Sequence, residues 1–169
     1  AVACAASGEV RGVPVQQLRE DDAIGSLILD DSGLGVISAE LLGLMLPAAF
    51  SVHTLSLAGN WLGPEAGAAL AEGIKGNSTL QSLDLSLNKL GPEGGAALAK
   101  GITGNSTLRV LNLEGNNIRD KGASALAAIL NENTKLINLN LAWNGLSHET
   151  KKALKDAARS SGVSINITF

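Results

Sequence analysis

A chain of 169 residues has room for one domain with a sizeable core. Hydrophobic residues make up 45% and charged residues 17%, which excludes a disordered chain. A net charge of −3, no Tyr, and only two Trp and two Phe argue against a nucleic-acid partner, which calls for cations and stacking platforms. The lone Cys4 rules out an internal disulfide framework and fits a reducing compartment.

Residues 1–13 read as an N-terminal extension. The opening Ala1-Val-Ala-Cys-Ala-Ala-Ser7 lacks the charged and apolar regions of an intact leader; it is either the remnant of a cleaved targeting segment or simply where the sequence begins. The longest apolar run, Leu41 to Phe50, is about half of the roughly 20 residues that a membrane span needs, and it contains Pro47. An intracellular, cytoplasmic protein with no membrane span is the expectation, with organellar or exported forms left open.

From residue 14 onward a single domain is expected. Residues 14–26 form a helical half-unit, with Pro14 near its start and a polar Arg19-Glu-Asp-Asp22 end. One short string then recurs: Leu55-Ser-Leu-Ala-Gly-Asn60, Leu83-Asp-Leu-Ser-Leu-Asn88, Leu111-Asn-Leu-Glu-Gly-Asn116 and Leu139-Asn-Leu-Ala-Trp-Asn144. The first leucines are 28 residues apart each time, and Leu27, Leu29, Ser32 and Leu34 extend the series backwards with Ser32 in the asparagine position. Units therefore start at 27, 55, 83, 111 and 139, and Ile167 and Phe169 place a terminal strand near 164–169. A fixed period of this size marks a stacked repeat.

Alternation makes each string a strand with one buried face: Leu55 and Leu57 point inward while Thr54, Ser56 and Ala58 point out. The chain must turn before the next apolar position (Leu62, Leu90, Ile118, Leu146). The intervening Asn carries both a donor and an acceptor for backbone groups that the turn leaves unpaired, so Asn60, Asn88, Asn116 and Asn144 should form a buried ladder. The second half of each unit reads as a helix. In Gly94 to Ile102 the small or apolar residues 94, 97, 98, 101 and 102 share one helical face. Pro64 and Pro92 suit the first turn, Gly76 and Gly104 the stop, and Asp120 and Ser147 the N-caps of the next two helices. The last helix, from about 148 to 159, is the most charged, and Lys151, Lys152, Lys155 and Arg159 are expected on a solvated cap face. An open edge at Phe169 would be a liability unless it packs back or joins a larger assembly.

The 28-residue unit, with its second segment Gly94-Gly-Ala-Ala-Leu98-Ala-Lys-Gly-Ile102-Thr-Gly-Asn105-Ser-Thr-Leu108, resembles the ribonuclease-inhibitor-like class of leucine-rich repeats. The resemblance covers residues from about 14 to the end. It implies an α/β fold: a right-handed solenoid, a horseshoe arc with a parallel β-sheet on the concave face and α-helices on the convex face. Members of that class include ribonuclease inhibitors, the repeat domains of NOD-like receptors, Ran GTPase-activating proteins and tropomodulin-like actin-capping domains, and nearly all hold another macromolecule on the repeat surface.

No constellation for catalysis, metal or cofactor is present. His53 and His148 occupy unrelated repeat positions, Gly91-Pro-Glu-Gly-Gly95 lacks the Gly-Lys-Ser/Thr ending of a phosphate loop, and Asp30-Asp31 is an isolated acidic pair. Of the sequons at Asn77, Asn105 and Asn166, the first two fall on the repeat position that also includes Asn133 and read as turn-capping residues, and glycosylation would matter only in an exported protein. A protein partner of unidentified nature is expected instead, on the outward strand positions and the adjoining rim. The candidate contact residues are Ile28, Asp30, Ser56, Asp84, Ser86, Asn112, Glu114 and Asn140 on the strands, with Trp61, Leu87, Lys89 and Trp143 at the rim. Small, polar and acidic, the strand surface suits a basic or hydroxyl-rich partner. At about 4.8 Å per strand the two Trp positions lie roughly 15 Å apart, where they either anchor a partner or cover a loop or a neighbouring leucine. The expectation is a non-enzymatic interaction module or scaffold subunit, monomeric or part of a larger assembly. The alternatives are a GTPase activator of the Ran-regulator type, or a structural subunit docking by its C-terminal edge.

Overall fold

The computed structural model describes residues 10–20, 24–130, 135–161 and 165–169, with the backbone alone at positions 17, 19 and 20. Cys4, the side chains of the polar Arg19 to Asp22 stretch, and Asn133 lie outside the described residues.

Helix α1 (Val15–Glu20) follows Pro14, and strand and helix then alternate. In order come β1 (Ser26–Ile28), α2 (Val36–Met45), a short 3-10 turn (Leu46–Ala48), β2 (Thr54–Ser56), α3 (Gly63–Gly76), β3 (Ser82–Asp84) and α4 (Gly91–Thr103). They are followed by β4 (Val110–Asn112), α5 (Arg119–Leu130), β5 (Asn138–Asn140), α6 (His148–Ser160) and β6 (Asn166–Thr168). The described strands form one parallel sheet in chain order. Every step of its register is one repeat: Leu27 beside Leu55, Leu55 beside Leu83, Leu83 beside Leu111, Leu111 beside Leu139, and Leu139 beside Ile167. An α/β solenoid results, with its sheet on the concave face and its helices on the convex face.

Between sheet and helices runs one apolar column that includes Leu55, Leu57, Leu62, Leu70 and Ile74, all fully buried, and their equivalents in the next units. Glycine sets how closely the helices approach. A Cβ at Gly67 would stand 2.9 Å from Gly94 Cα, and one at Gly73 would stand 2.5 Å from Gly43 O, so no larger residue fits without moving a backbone.

The buried asparagine ladder forms as alternation and turn chemistry dictate. Asn88 Nδ2 donates to the carbonyls of Leu57, Leu85 and Ser86, and its Oδ1 accepts from the backbone N–H of Asn60 at 2.9 Å and of Leu62. Asn116 repeats the pattern one unit on, and Asn60, Asn88, Asn116 and Asn144 are at most 2% exposed. Each amide thus satisfies turn groups of its own and the preceding unit, in an interior where unmade hydrogen bonds are costly.

One helix-end assignment differs from the sequence reading. Gly76 closes α3 and Gly104 caps α4, as expected, with Gly104 at φ −93°. The asparagines that follow brace the turns. Asn77 Nδ2 donates to Leu46 O and its Oδ1 accepts from Thr79 and Leu80 N–H, while Asn105 bonds Ile74 O, Asn77 O, Thr107 N–H and Leu108 N–H in the same way. Ser147 is the N-cap of α6, accepting from Thr150 N–H, but Asp120 lies inside α5 and reaches forward to accept from Ser147 N–H at 2.9 Å. That bond, with a second from the Thr150 hydroxyl, holds the Asp120 carboxyl below its ordinary pKa.

Candidate functional site

Side chains at alternate strand positions face away from the core and form a polar ribbon whose members are tied together across strands. Asp30 accepts from the Ser56 hydroxyl at 2.5 Å and from Ala58 N–H at 2.9 Å. Asp84 Oδ1 accepts from both the N–H and the hydroxyl of Ser86, while its Oδ2 accepts from Asn112 Nδ2 at 2.9 Å. Asn112 Oδ1 accepts from Glu114 N–H, and Glu114 Oε2 accepts from Asn140 Nδ2 at 2.9 Å. Ser56, expected to be open, is 9% exposed beneath Asp30, because the carboxylate reaches across from the turn after β1. Neutral donors hold these three carboxylates; among the described residues the two ion pairs, Lys121 with Glu93 and Arg159 with Asp156, lie elsewhere. Ile28 adds an exposed apolar side chain at the N-terminal end of the ribbon.

The rim beyond the strands is set by backbone conformation. The residue before the ladder position is left-handed in every unit (Asp31, Gly59, Leu87, Gly115, Trp143), and so is the residue after it (Gly33, Trp61, Lys89, Asn117, Gly145). In the first series large residues alternate with glycine for a steric reason. A Cβ on Gly59 would collide with Asp31, and one on Gly115 would stand 2.6 Å from Leu87 Cδ2, so Asp31 and Leu87 each lean over the glycine of the next unit. Trp61 lies beneath the Lys89 ammonium, 3.6 Å from the ring centroid. Leu87, Trp61 and Trp143 are 60%, 68% and 83% exposed. A left-handed non-glycine residue costs roughly 1–2 kcal/mol, and these side chains recover little of that through burial.

The Leucine Rich repeat family matches residues 49–71, 76–99 and 104–127. The chain carries leucine-rich repeats. The tropomodulin C-terminal domain of Caenorhabditis elegans has the same fold, with TM-score 0.71 at 17% identity over 88% of this chain and 90% of that one. So does leiomodin-1 actin-binding site 2, with TM-score 0.67 at 23% identity over 88% and 87%. No curated protein matches the sequence.

In this leucine-rich repeat frame the remaining candidates fall into place. His53 is exposed, with Nδ1 2.7 Å from Ser51 O, and His148 begins α6. Among the described residues no group of three His, Cys, Asp or Glu is placed to hold a metal ion, and no helix is long and apolar enough to cross a membrane. Asn77 and Asn105 are 5% and 6% exposed with their amides in use, which leaves Asn166 as the exposed sequon asparagine. On the last helix Lys152, Lys155 and Arg159 are exposed, as expected of a solvated face, and Lys151 is partly buried. Lys151 and Lys155 turn toward the edge of the solenoid, with ammonium groups 5.7 and 5.4 Å from the Phe169 ring centroid. Counting by the period would have found them: Lys151 stands 28 positions after Ala123 and Lys155 28 after Ala127, where earlier helices are small.

Proposed function

We propose that this chain is a non-enzymatic protein-binding module of the ribonuclease-inhibitor-like leucine-rich repeat class, taking its partner across the sheet ribbon and the Trp61, Leu87, Lys89, Trp143 rim. The reading rests on one observation. Three carboxylates, Asp30, Asp84 and Glu114, are held in place by neutral donors with no cation paired to them among the described residues. A preorganised acidic ribbon favours a partner that brings Arg or Lys, since the positioning cost is met before binding. Exposed aromatic and aliphatic side chains along the adjacent rim supply the desolvated anchor that charge alone does not. No feature of the ribbon favours a GTPase-activating role over docking.

Replacing Trp61, Asp84, Glu114 and Trp143 together by Ala, and comparing proteins retained from native extract with those retained by the wild-type chain, tests the reading. Circular dichroism confirms that the variant is folded. Loss of the specific set supports the ribbon and rim; an unchanged set refutes them. Because the leiomodin-1 domain is named for binding actin, actin is the first purified partner to try.

A further inference from the structure

The outward crest of the later helices is charged or small at every repeat. Glu65, Ala69 and Glu72 form it in α3, and Glu93, Ala97 and Lys100 in α4. Lys121, Ala125 and Ala128 follow in α5, then Glu149, Ala153 and Asp156 in α6. In α2 the same three positions are Ile37, Leu41 and Leu44, with Ile37 52% and Leu44 80% exposed and Leu41 half-buried between them. This exposure belongs to the positions and not to the place of α2 in the stack, since Glu65, Glu72, Glu93 and Lys100 are exposed with a helix packed on either side. What sets α2 apart is chemistry: large aliphatic side chains stand where the equivalent residues meet water.

A second change accompanies the first. Glu40 stands where later units carry Ala68, Ala96 and Ser124, so the charge of α2 has moved from the crest to a flank. A Cβ at Gly43, one turn on, would meet the Ala69 carbonyl, which puts that flank on the α3 side. Glu65 and Glu72 rise beyond it from the crest of α3. Among the described residues the ion pairs are Lys121 with Glu93 and Arg159 with Asp156, so no cation is paired to Glu40, Glu65 or Glu72. Arg11, beside the start of α2, and Lys75, in the last turn of α3, pair with none of them.

We propose that the Ile37, Leu41, Leu44 stripe is a docking surface for an amphipathic helix of a protein partner, with basic residues flanking its apolar seam. The three side chains recur at i, i+4 and i+7, the spacing by which two helices interlock, and span about 10 Å of the α2 axis. Glu40 stands beside that seam, where a charged residue reaches the facing helix. The carboxylates select the sign of the occupant. They oppose a second copy laid stripe to stripe and an anionic membrane, and they favour Lys or Arg on the incoming helix. The surface lies on the convex side of the solenoid and is independent of the sheet ribbon.

The test is fluorescence anisotropy of a labelled, capped three-heptad peptide, with Ile at a, Leu at d and Lys at e and g, titrated with the whole chain. One counterpart carries Glu at e and g, and another carries Ala at a and d. The Lys peptide should bind saturably, the Glu peptide about tenfold more weakly, and the Ala counterpart should not bind. Ile37→Gln with Leu44→Gln leaves the charge unchanged at positions that are polar in later helices, so circular dichroism should show an intact fold. That pair should weaken the Lys peptide about tenfold or more, the scale of two aliphatic side chains withdrawn from the contact. Glu40→Lys should weaken the Lys peptide about threefold and strengthen the Glu peptide. The variant with Trp61, Asp84, Glu114 and Trp143 replaced should bind the Lys peptide as wild type does, which keeps a failure of this surface distinct from a failure of the ribbon. The proposal fails if the Lys peptide does not bind, if either counterpart binds equally well, or if the Gln pair leaves affinity intact. It also fails if the ribbon and rim variant loses the peptide, which would place it on the sheet. A wild-type dimer in sedimentation that the Gln pair dissociates would assign the stripe to a second copy. Pelleting with phosphatidylglycerol vesicles that the Gln pair abolishes would assign it to a membrane, and either result overturns the proposal.

Discussion

Asn112 and Asn116 stand four residues apart in one repeat and have different physical roles. Asn116 is fully buried, and its side chain makes five hydrogen bonds that join its own turn to the preceding unit. Asn112 sits half-buried on the ribbon and makes one bond to Asp84 and one to Glu114 N–H. The same amide therefore closes the core in one place and braces a surface in the other, and the strand's alternation decides which. Asn116→Ala should cost about 4 kcal/mol, since several net bonds of about 1 kcal/mol are lost and buried backbone groups are left unpaired. Asn112→Ala should cost under about 1 kcal/mol. Urea unfolding of the two variants measures the contrast, and equal losses would erase the distinction between ladder and ribbon.

The next contrast concerns glycines. Gly73 touches the α2 backbone at Gly43, whereas a Cβ on Gly104 meets nothing within 4 Å and its φ of −93° suits any residue. Gly73→Ala should destabilise by about 2 kcal/mol as α2 and α3 are forced apart. Gly104→Ala should stabilise by about 0.5 kcal/mol by restricting the unfolded chain. Thermal melts of the pair separate close packing from loop freedom.

These contrasts show how much was legible beforehand. The period gave the strands, their register and the ladder, because each depends on a residue's own repeat position. What escaped depends on a neighbour one unit away. Ser56 is covered because Asp30 reaches over from the turn after β1, and Asp120 leaves the cap position because Ser147 N–H waits one unit on. Lys151 and Lys155 meet Phe169 across the C-terminal edge, a contact that charge counting on one helix does not show.

A smaller effect is expected from pH. Asp120 is held low first by the Ser147 N–H bond, and Glu93 first by the hydrogen bond from Lys121, 2.9 Å away. A carboxyl whose pKa is lower when folded stabilises the fold above its unfolded value, and the contribution is lost as pH falls through the folded value. The stability gap between wild type and Asp120→Asn should therefore be full at pH 6 and shrink below about pH 4. Both groups are exposed, so the gap is small. For Glu93 added salt should shrink it further, because an ion pair is involved there. A gap that widened in acid would reverse the assigned sign.

Trp143→Gly should leave stability nearly unchanged, and that makes it informative. Trp143 adopts φ 57°, a conformation that glycine reaches without steric cost, and its ring is 83% exposed, so little packing is lost. Relief of left-handed strain, about 1 kcal/mol, offsets the larger conformational entropy of glycine in the unfolded chain, about 0.5–1 kcal/mol. Trp61→Gly adds one further loss, the Lys89 contact, and should fall about 0.5–1 kcal/mol below it. If urea titration finds Trp143→Gly as stable as wild type while partner retention falls, the ring serves recognition and not the fold. A loss of 2 kcal/mol or more would mean instead that Trp143 covers part of the solenoid end, and the rim would have to be redrawn around Trp61, Leu87 and Lys89.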